Sequence, residues 1–247
     1  MTGVQTCALP ISALLWRALA GGGPAGVEPA PIAVALALSL ATTAIALPVV
    51  VLLGTPLAWL LARGTFRGKA LAETVVDLPI VLPPSVAGLA LLLAFGRNGV
   101  AGPALAVAGV TFPFTTLAVV IAQVFVALPF FVRSTRAGLA GVAAELEEAA
   151  ELDGAAPAEV ARHVSLPIAA PAIAAGILLA WARALGEFGA TIMFAGSLPG
   201  RTQTMPLLVY AELQDSTDAA VAAAAVLVLA ALVVLVAVRR TAWRSVL

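Results

Sequence analysis

Between Ala219 and Val238 the chain runs for 20 residues without a charge or a hydrogen-bonding side chain. That length of helix crosses a hydrocarbon core of about 30 Å. Four further apolar stretches reach comparable length: Pro31–Leu61, Val75–Phe95, Thr111–Val132 and Ile168–Phe194. In lipid the backbone must satisfy its own hydrogen bonds, so such stretches become helices. The expected fold is all-α, a polytopic membrane helix bundle with five spans, in which no soluble domain has room for a core of its own. A hydrophobic content of 62% against 11% charged residues agrees. The formal net charge is zero and the basic residues are scattered, so nucleic acid is not an expected partner. Cys7 is the single cysteine and His163 the single histidine, which removes an intrachain disulfide and a histidine-cluster metal site; no metal or cofactor is expected.

Residues 1–28 differ from the rest of the chain. MTGVQTCALPI lacks its Ala/Leu/Val texture, and Ser12–Ala20 is too short for a span. The segment reads as an atypical start plus an outer loop, with residues 1–11 replacing the true beginning. The membrane domain occupies 29–240 and a short tail 241–247. Pro79, Pro83 and Pro84 crowd the start of the second span. They force an irregular backbone, which in a membrane must face protein or a cavity.

Basic residues set the orientation. With the C-terminus in the cytoplasm, inner loops hold Arg63, Arg67, Lys69, Arg133, Arg136, Arg162, Arg239, Arg240 and Arg244, and outer segments only Arg17, Arg97 and Arg201. The remaining arginine, Arg183, lies within a span. The same assignment leaves the N-terminus outside, and a sixth, N-terminal span missing from this copy would restore it to the cytoplasm.

The longest interruption of the apolar pattern is Glu147–Gly176, whose first half carries Glu147, Glu148, Glu151, Asp153 and Glu159. Ala143–Leu152 is expected to be helical, with Gly154 as its stop. Pro157 suits the first turn of a second short helix ending near Val164, with Pro167 as terminator. The pair forms a cytoplasmic knob. An acidic helix suits an anionic leaflet poorly, which favours docking to a cytoplasmic protein over resting on lipid headgroups. Within the fourth span Glu187 is an ionisable group in apolar surroundings, where burial is costly. Arg183 lies four residues earlier, so the two can pair, and Gly186 and Gly189 permit close backbone approach. Two readings stay open for this pair: a salt bridge that fixes packing, or a charge pair beside a pore. Pro79, Pro83 and Pro84 carry the same alternative, a broken helix beside a path or kinked packing.

The order Glu148-Ala149-Ala150, three residues, Gly154, nine residues, Val164, one residue, Leu166-Pro167 resembles the EAA loop of bacterial ABC importer permeases of the type I kind. ARALGEFGA, FAGSLPGRTQT and the following MPL, with RGKALAETVVDLPIVLPPSVAGLALLLAFGRNG, are similar to the permease subunit of molybdate/tungstate importers, with sulfate/thiosulfate permeases as near neighbours. The resemblance runs from about Pro31 to Val238 and implies a multi-pass permease of the bacterial inner membrane that is not itself an enzyme. Residues 143–167 would then be a coupling loop. Glu148 would hold it against the ATPase, Ala149 and Ala150 would permit close approach, Gly154 would make the turn, and Leu166 and Pro167 would complete the motif. The implied assembly is a homodimer of this chain in the lipid bilayer, two cytoplasmic ATP-binding subunits and an extracytoplasmic oxyanion-binding protein. Arg97, Arg201, Thr202 and Thr204 are the outer-loop candidates for contact with the anion. Two readings compete with the molybdate permease: a sulfate/thiosulfate permease, and an ion-coupled secondary carrier, which would require inverted repeats that the sequence does not display.

Overall fold

A computed structural model describes residues 3–20 and 28–244, with side chains described for 8–20 and 28–238; among these residues every regular element is helical. Helix α1 spans Gly3–Ala20, where the sequence reads as an irregular start and loop. The short apolar piece is thus helical, but only Ala8–Ala20 counts as an apolar helix and it is too short for a span. Helix α2, Pro29–Arg63, has 35 residues, roughly 50 Å at 1.5 Å per residue. Pro48 and Pro56 lie inside it without ending it, as membrane helices tolerate when neighbours re-satisfy the freed carbonyls.

The second of the five expected spans is a bent pair. Helices α3, Lys69–Val81, and α4, Pro84–Phe95, meet at 116°. Leu82 and Pro83, both extended, make the corner. A proline restricts the residue before it to extended conformations, so Pro83 followed by Pro84 cannot continue a helix. Among the described residues, four helices are therefore long and apolar enough to cross a membrane by themselves, and the bent pair makes up to a fifth.

A short α5, Gly102–Val107, leads to α6, Thr116–Ala140, which is the axis of the bundle. Thr115 caps it, its hydroxyl accepting from the Ala118 amide at 3.2 Å. Buried residues run its whole length, from Ala118 and Val119 to Thr135 and Leu139. The next elements are α7, Ala144–Leu152, and α8, Pro157–Val160. A π-turn, Ala161–Ser165, joins α8 directly to α9, Leu166–Leu185. Helix α9 lies on α6 through small residues. A Cβ on Gly138 would sit 2.4 Å from the Ala172 Cβ, and Ser134 Oγ donates to the Ala172 carbonyl at 2.7 Å. Such close backbone approach is how helices associate where lipid supplies no hydrophobic drive between them.

Pro167, expected to terminate the second short helix, does not. Proline lacks an amide and is accommodated in a first turn. The widened turn at 161–165 lets Pro157–Leu185 run as one 29-residue helix. Three elements complete the order: α10, Gly189–Phe194, α11, Met205–Asp215, and α12, Thr217–Arg244. MPLLVYAELQD is the whole of α11. Helix α1 packs on α12, and Arg17 pairs with Asp218 at 3.2 Å. The side chains of Arg239, Arg240 and Arg244 lie outside those described.

The bundle has two ends. Arg63, Ala140 and Pro157 close α2 and α6 and open the α8–α9 helix at one end, where α7 sits; Thr116 and Leu185 lie at the other.

Candidate functional site

Helix α7 begins with Glu145 and Glu147 in its first turn, where the helix dipole favours acids. The two adjacent acids Glu147 and Glu148 face different surroundings. Glu147 points into the bundle and accepts from Arg63 Nη2 at 2.5 Å and from Ser165 Oγ at 2.6 Å. It is a three-way junction between α7, the end of α2 and the π-turn before α9. Its side chain is 19% exposed and that of Arg63 27%, so the pair is half-screened and stronger than a surface bridge. Glu148 faces outward, exposed, and its side chain makes no hydrogen bond or ion pair among the described residues. Ala149 is exposed beside it, and Leu152 is 89% exposed. Ala150 is partly buried, at the inner face with Glu147.

Asp153 follows α7, and Gly154 turns the chain at φ +93°, a left-handed conformation that glycine adopts without Cβ strain. Glu159 Oε2 accepts from the Ala156 amide at 2.8 Å and closes the first turn of α8. Leu166 is partly buried and Pro167 exposed in the first turn of α9. The sequence motif thus falls on one short helix, one glycine turn and the first turns of a span, rather than on two separate short helices. Two more ion pairs fasten the last third of α6 to α3: Arg136–Glu73 at 2.6 Å and Arg133–Asp77 at 3.8 Å.

At the other end, Arg183 and Glu187 do pair, at 2.5 Å. They do not share one continuous helix face, because α9 ends at Leu185 and Glu187 lies in the break before α10. The second carboxylate oxygen explains the position: Glu187 Oε1 accepts from the Ala190 amide at 2.6 Å, in the first turn of α10. One carboxylate, 2% exposed, therefore holds two helices. Gly186 is exposed at the break, and Gly189 begins α10 against the bent pair. A Cβ on Gly189 would lie 2.5 Å from the Pro84 Cβ, and one on Gly88 2.7 Å from the Ala190 carbonyl oxygen. Pro83 and Pro84 thus form the corner on which α10 rests, whereas Pro79 lies inside α3.

The four outer-loop candidates separate. Arg97 and Arg201 are exposed. Thr202 is fully buried, its hydroxyl accepting from the Leu198 amide at 2.9 Å and donating to the Gly196 carbonyl at 3.3 Å. Thr204 is buried at the start of α11, not displayed on a loop. The hydroxyls fold the segment back into the protein, so a polar composition here does not mean exposure. The Arg201 carbonyl accepts from Thr116 Oγ1 at 2.9 Å and ties this loop to the start of α6.

Several polar contacts escape a reading of sequence alone. Besides the Glu147 junction, Ser39 Oγ of α2 accepts from the Met205 amide at 2.8 Å, and Gln123 Nε2 of α6 donates to Thr43 Oγ1 at 3.3 Å. The i, i+4 spacing of Ser39 and Thr43 inside an apolar run marks a shared helix face; their partners come from distant parts of the chain. Among the described residues there is no metal-binding cluster.

Residues 54–242 match the family described as the binding-protein-dependent transport system inner membrane component. The chain is similar to a protein named molybdenum transport system permease protein ModB from Mycobacterium tuberculosis, 48% identical over 186 residues, 75% of this chain and 70% of the relative. A sulfate transport system permease protein CysT from Salmonella typhimurium is 39% identical over 178 residues, 72% of this chain and 64% of that relative. In fold the chain resembles a bacterial ABC transporter involved in import of the polysaccharide alginate, with a TM-score of 0.73 at 17% identity, covering 88% of this chain and 80% of that one. The helical bundle, the short helix clamped across the ends of two spans and the extent of the family match together make this chain a member of the binding-protein-dependent transport system inner membrane component family, the non-catalytic permease subunits of ABC importers.

Proposed function

We propose that this permease carries molybdate, with tungstate as the related cargo, through the bacterial inner membrane, its C-terminus in the cytoplasm. The observation that carries the cargo is the 48% identity to a molybdenum permease over 75% of the chain, against 39% to a sulfate permease. The orientation rests on the α7 end, where Arg63, Arg67, Lys69, Arg133, Arg136 and Arg162 gather.

The outer face of α7 is the input for work. Leu152, Glu148 and Ala149 stand exposed at the water-facing end, an apolar and acidic strip that suits the groove of a cytoplasmic ATPase. Because Glu147 ties α7 to Arg63 and Ser165, any displacement of α7 is transmitted to α2 and α9, the two helices that flank α6. At the far end of α9, Glu187 passes that displacement to α10 and so to the corner at Pro84. Two copies of the chain with two ATP-binding subunits would form the complete path, and an extracytoplasmic binding protein would deliver the anion. Glu187 neutralises Arg183, so this pair is a latch between helices and not an anion site.

Reconstitution in proteoliposomes with its ATPase and binding protein tests the reading. Labelled molybdate should accumulate only with ATP, unaffected by a large excess of sulfate. Accumulation of sulfate with exclusion of molybdate would make this a sulfate permease, and transport driven by an ion gradient without ATP would remove the class.

A further inference from the structure

At the end opposite α7, the turn from α4 through α5 to α6 encloses a half-open cavity of about 740 Å³, within the range of small-molecule sites. Its walls are apolar, with Leu92, Phe95, Leu105 and Phe114 among them, while Arg97, Asn98 and Thr111 supply the polar groups. No carboxylate lines it, and Arg97 has no ion pair among the described residues. Every lining residue falls between 92 and 114, so α2, α9, α10 and α11, the helices joined by the latch and the loop, contribute nothing to it.

The cavity is built rather than incidental. Gly102 crosses so near the preceding turn that a Cβ would lie 2.3 Å from the Gly96 carbonyl oxygen. The Val100 and Ala101 amides bond back to Leu93 and Ala94 at 3.0 and 2.9 Å and fix the turn against α4. Phe95 meets Phe112 edge to face at 6.0 Å behind the wall. Phe114, at the lip, takes a φ of 60°, the single left-handed non-glycine among the described residues. Such a conformation is strained for a bulky residue and persists where surrounding structure imposes it. Val100 and Val107, on the two segments that form the cavity, are 94% and 92% exposed, which suits lipid contact and not water.

We infer that this cavity holds one anionic phospholipid of the outer leaflet, an acyl chain against the leucine and phenylalanine walls and the phosphate on Arg97 and Asn98. Charge complementarity selects the occupant. An unpaired guanidinium over an apolar cavity fits an anion attached to a hydrocarbon tail, and the bilayer supplies such molecules at the headgroup level. A fully hydrated oxyanion would leave the apolar walls wet. Arg97 then belongs to lipid and not to cargo, a conclusion independent of which oxyanion is carried.

Native mass spectrometry of the detergent-purified chain with added phosphatidylglycerol or phosphatidylcholine tests the site. Wild type should retain phosphatidylglycerol preferentially. Arg97→Gln, a change at an exposed and unpaired side chain that folding does not need, should lose roughly fivefold of that preference, as expected for one arginine at an anionic surface. Ala106→Trp, which fills the cavity, should lose both lipids, and Arg201→Gln, outside it, neither. Equal retention in wild type, Arg97→Gln and Ala106→Trp would overturn the inference. So would displacement of the lipid by millimolar free molybdate or phosphate, which would mark an ion site. A wild type without lipid whose Arg97→Gln variant loses capture of the extracytoplasmic binding protein would overturn it as well, in favour of a protein-docking surface.

Discussion

The two ends of the bundle solve the same problem, joining helices with polar side chains, in opposite ways. At the α7 end three ion pairs among the described residues are distributed over side chains that all keep some access to water, and their partners lie far apart in sequence, Arg63 and Glu147 by 84 residues. At the other end one carboxylate, only 2% exposed, does the joining between Arg183 and the first turn of α10, only four and three residues away. Charges near water cost little to keep and each contributes little. A charge inside apolar packing is costly and is retained only when fully partnered. The α7 end should therefore tolerate loss of any one contact and yield to a partner, whereas the Glu187 end should fail at a single substitution.

That contrast orders the expected effects. Glu187→Gln leaves Arg183 without its counter-ion and should cost on the order of 3 kcal/mol, the lower part of the range for a broken buried pair because Arg183 keeps some access to water. Thermal unfolding in detergent would show it, and Arg183→Met/Glu187→Gln should recover part of the loss. An unchanged melting point in the single variant would erase the difference between the ends. Gly189→Val, whose Cβ meets Pro84, should cost about 1–3 kcal/mol by overpacking and should lower transport more than yield. If uptake stays normal, α10 does not need its seat on the α3–α4 corner.

At the α7 end, a double-mutant cycle on Arg63→Ala and Glu147→Gln should return about 1 kcal/mol of coupling, above the usual surface value because both side chains are mostly covered. A coupling energy near zero would mean that α7 is held by its apolar neighbours and not by the junction. Arg133→Ala should lower the free energy of unfolding least, by less than about 0.5 kcal/mol, since its 3.8 Å pair with Asp77 is the longest among the described residues and among the most exposed. A loss as large as that at Glu187 would remove the comparison altogether.

Sequence pattern shows the apolar helices because their length is dictated by the membrane, and it shows the Gly154 turn because few residues take a positive φ. The three prolines at 79, 83 and 84 announce an interruption, but its 116° angle depends on what α4 packs against. Pro167 misleads, since a proline that stops a helix and one that opens it look alike without knowledge of the preceding turn. The spacing of Arg183 and Glu187 reveals their pairing; the break at Gly186–Phe188, which turns Glu187 into a cap for α10, is set by α10 resting on Pro84. Glu147 is hidden by Glu148. Only the fold decides which of two neighbouring acids meets Arg63, and that choice leaves the other free to face outward.

Helix α7 offers the most direct test of the account, because its two adjacent acids are assigned opposite partners. The measurement is co-purification with the cytoplasmic ATPase, together with binding-protein-stimulated ATP hydrolysis, for Glu148→Lys beside Glu147→Gln. Glu148→Lys should fold like wild type and lose ATPase association, whereas Glu147→Gln should keep association at a cost of no more than about 1 kcal/mol in stability and lose coupling. Normal association and stimulated hydrolysis in Glu148→Lys would contradict the assignment of the exposed α7 face as the docking surface.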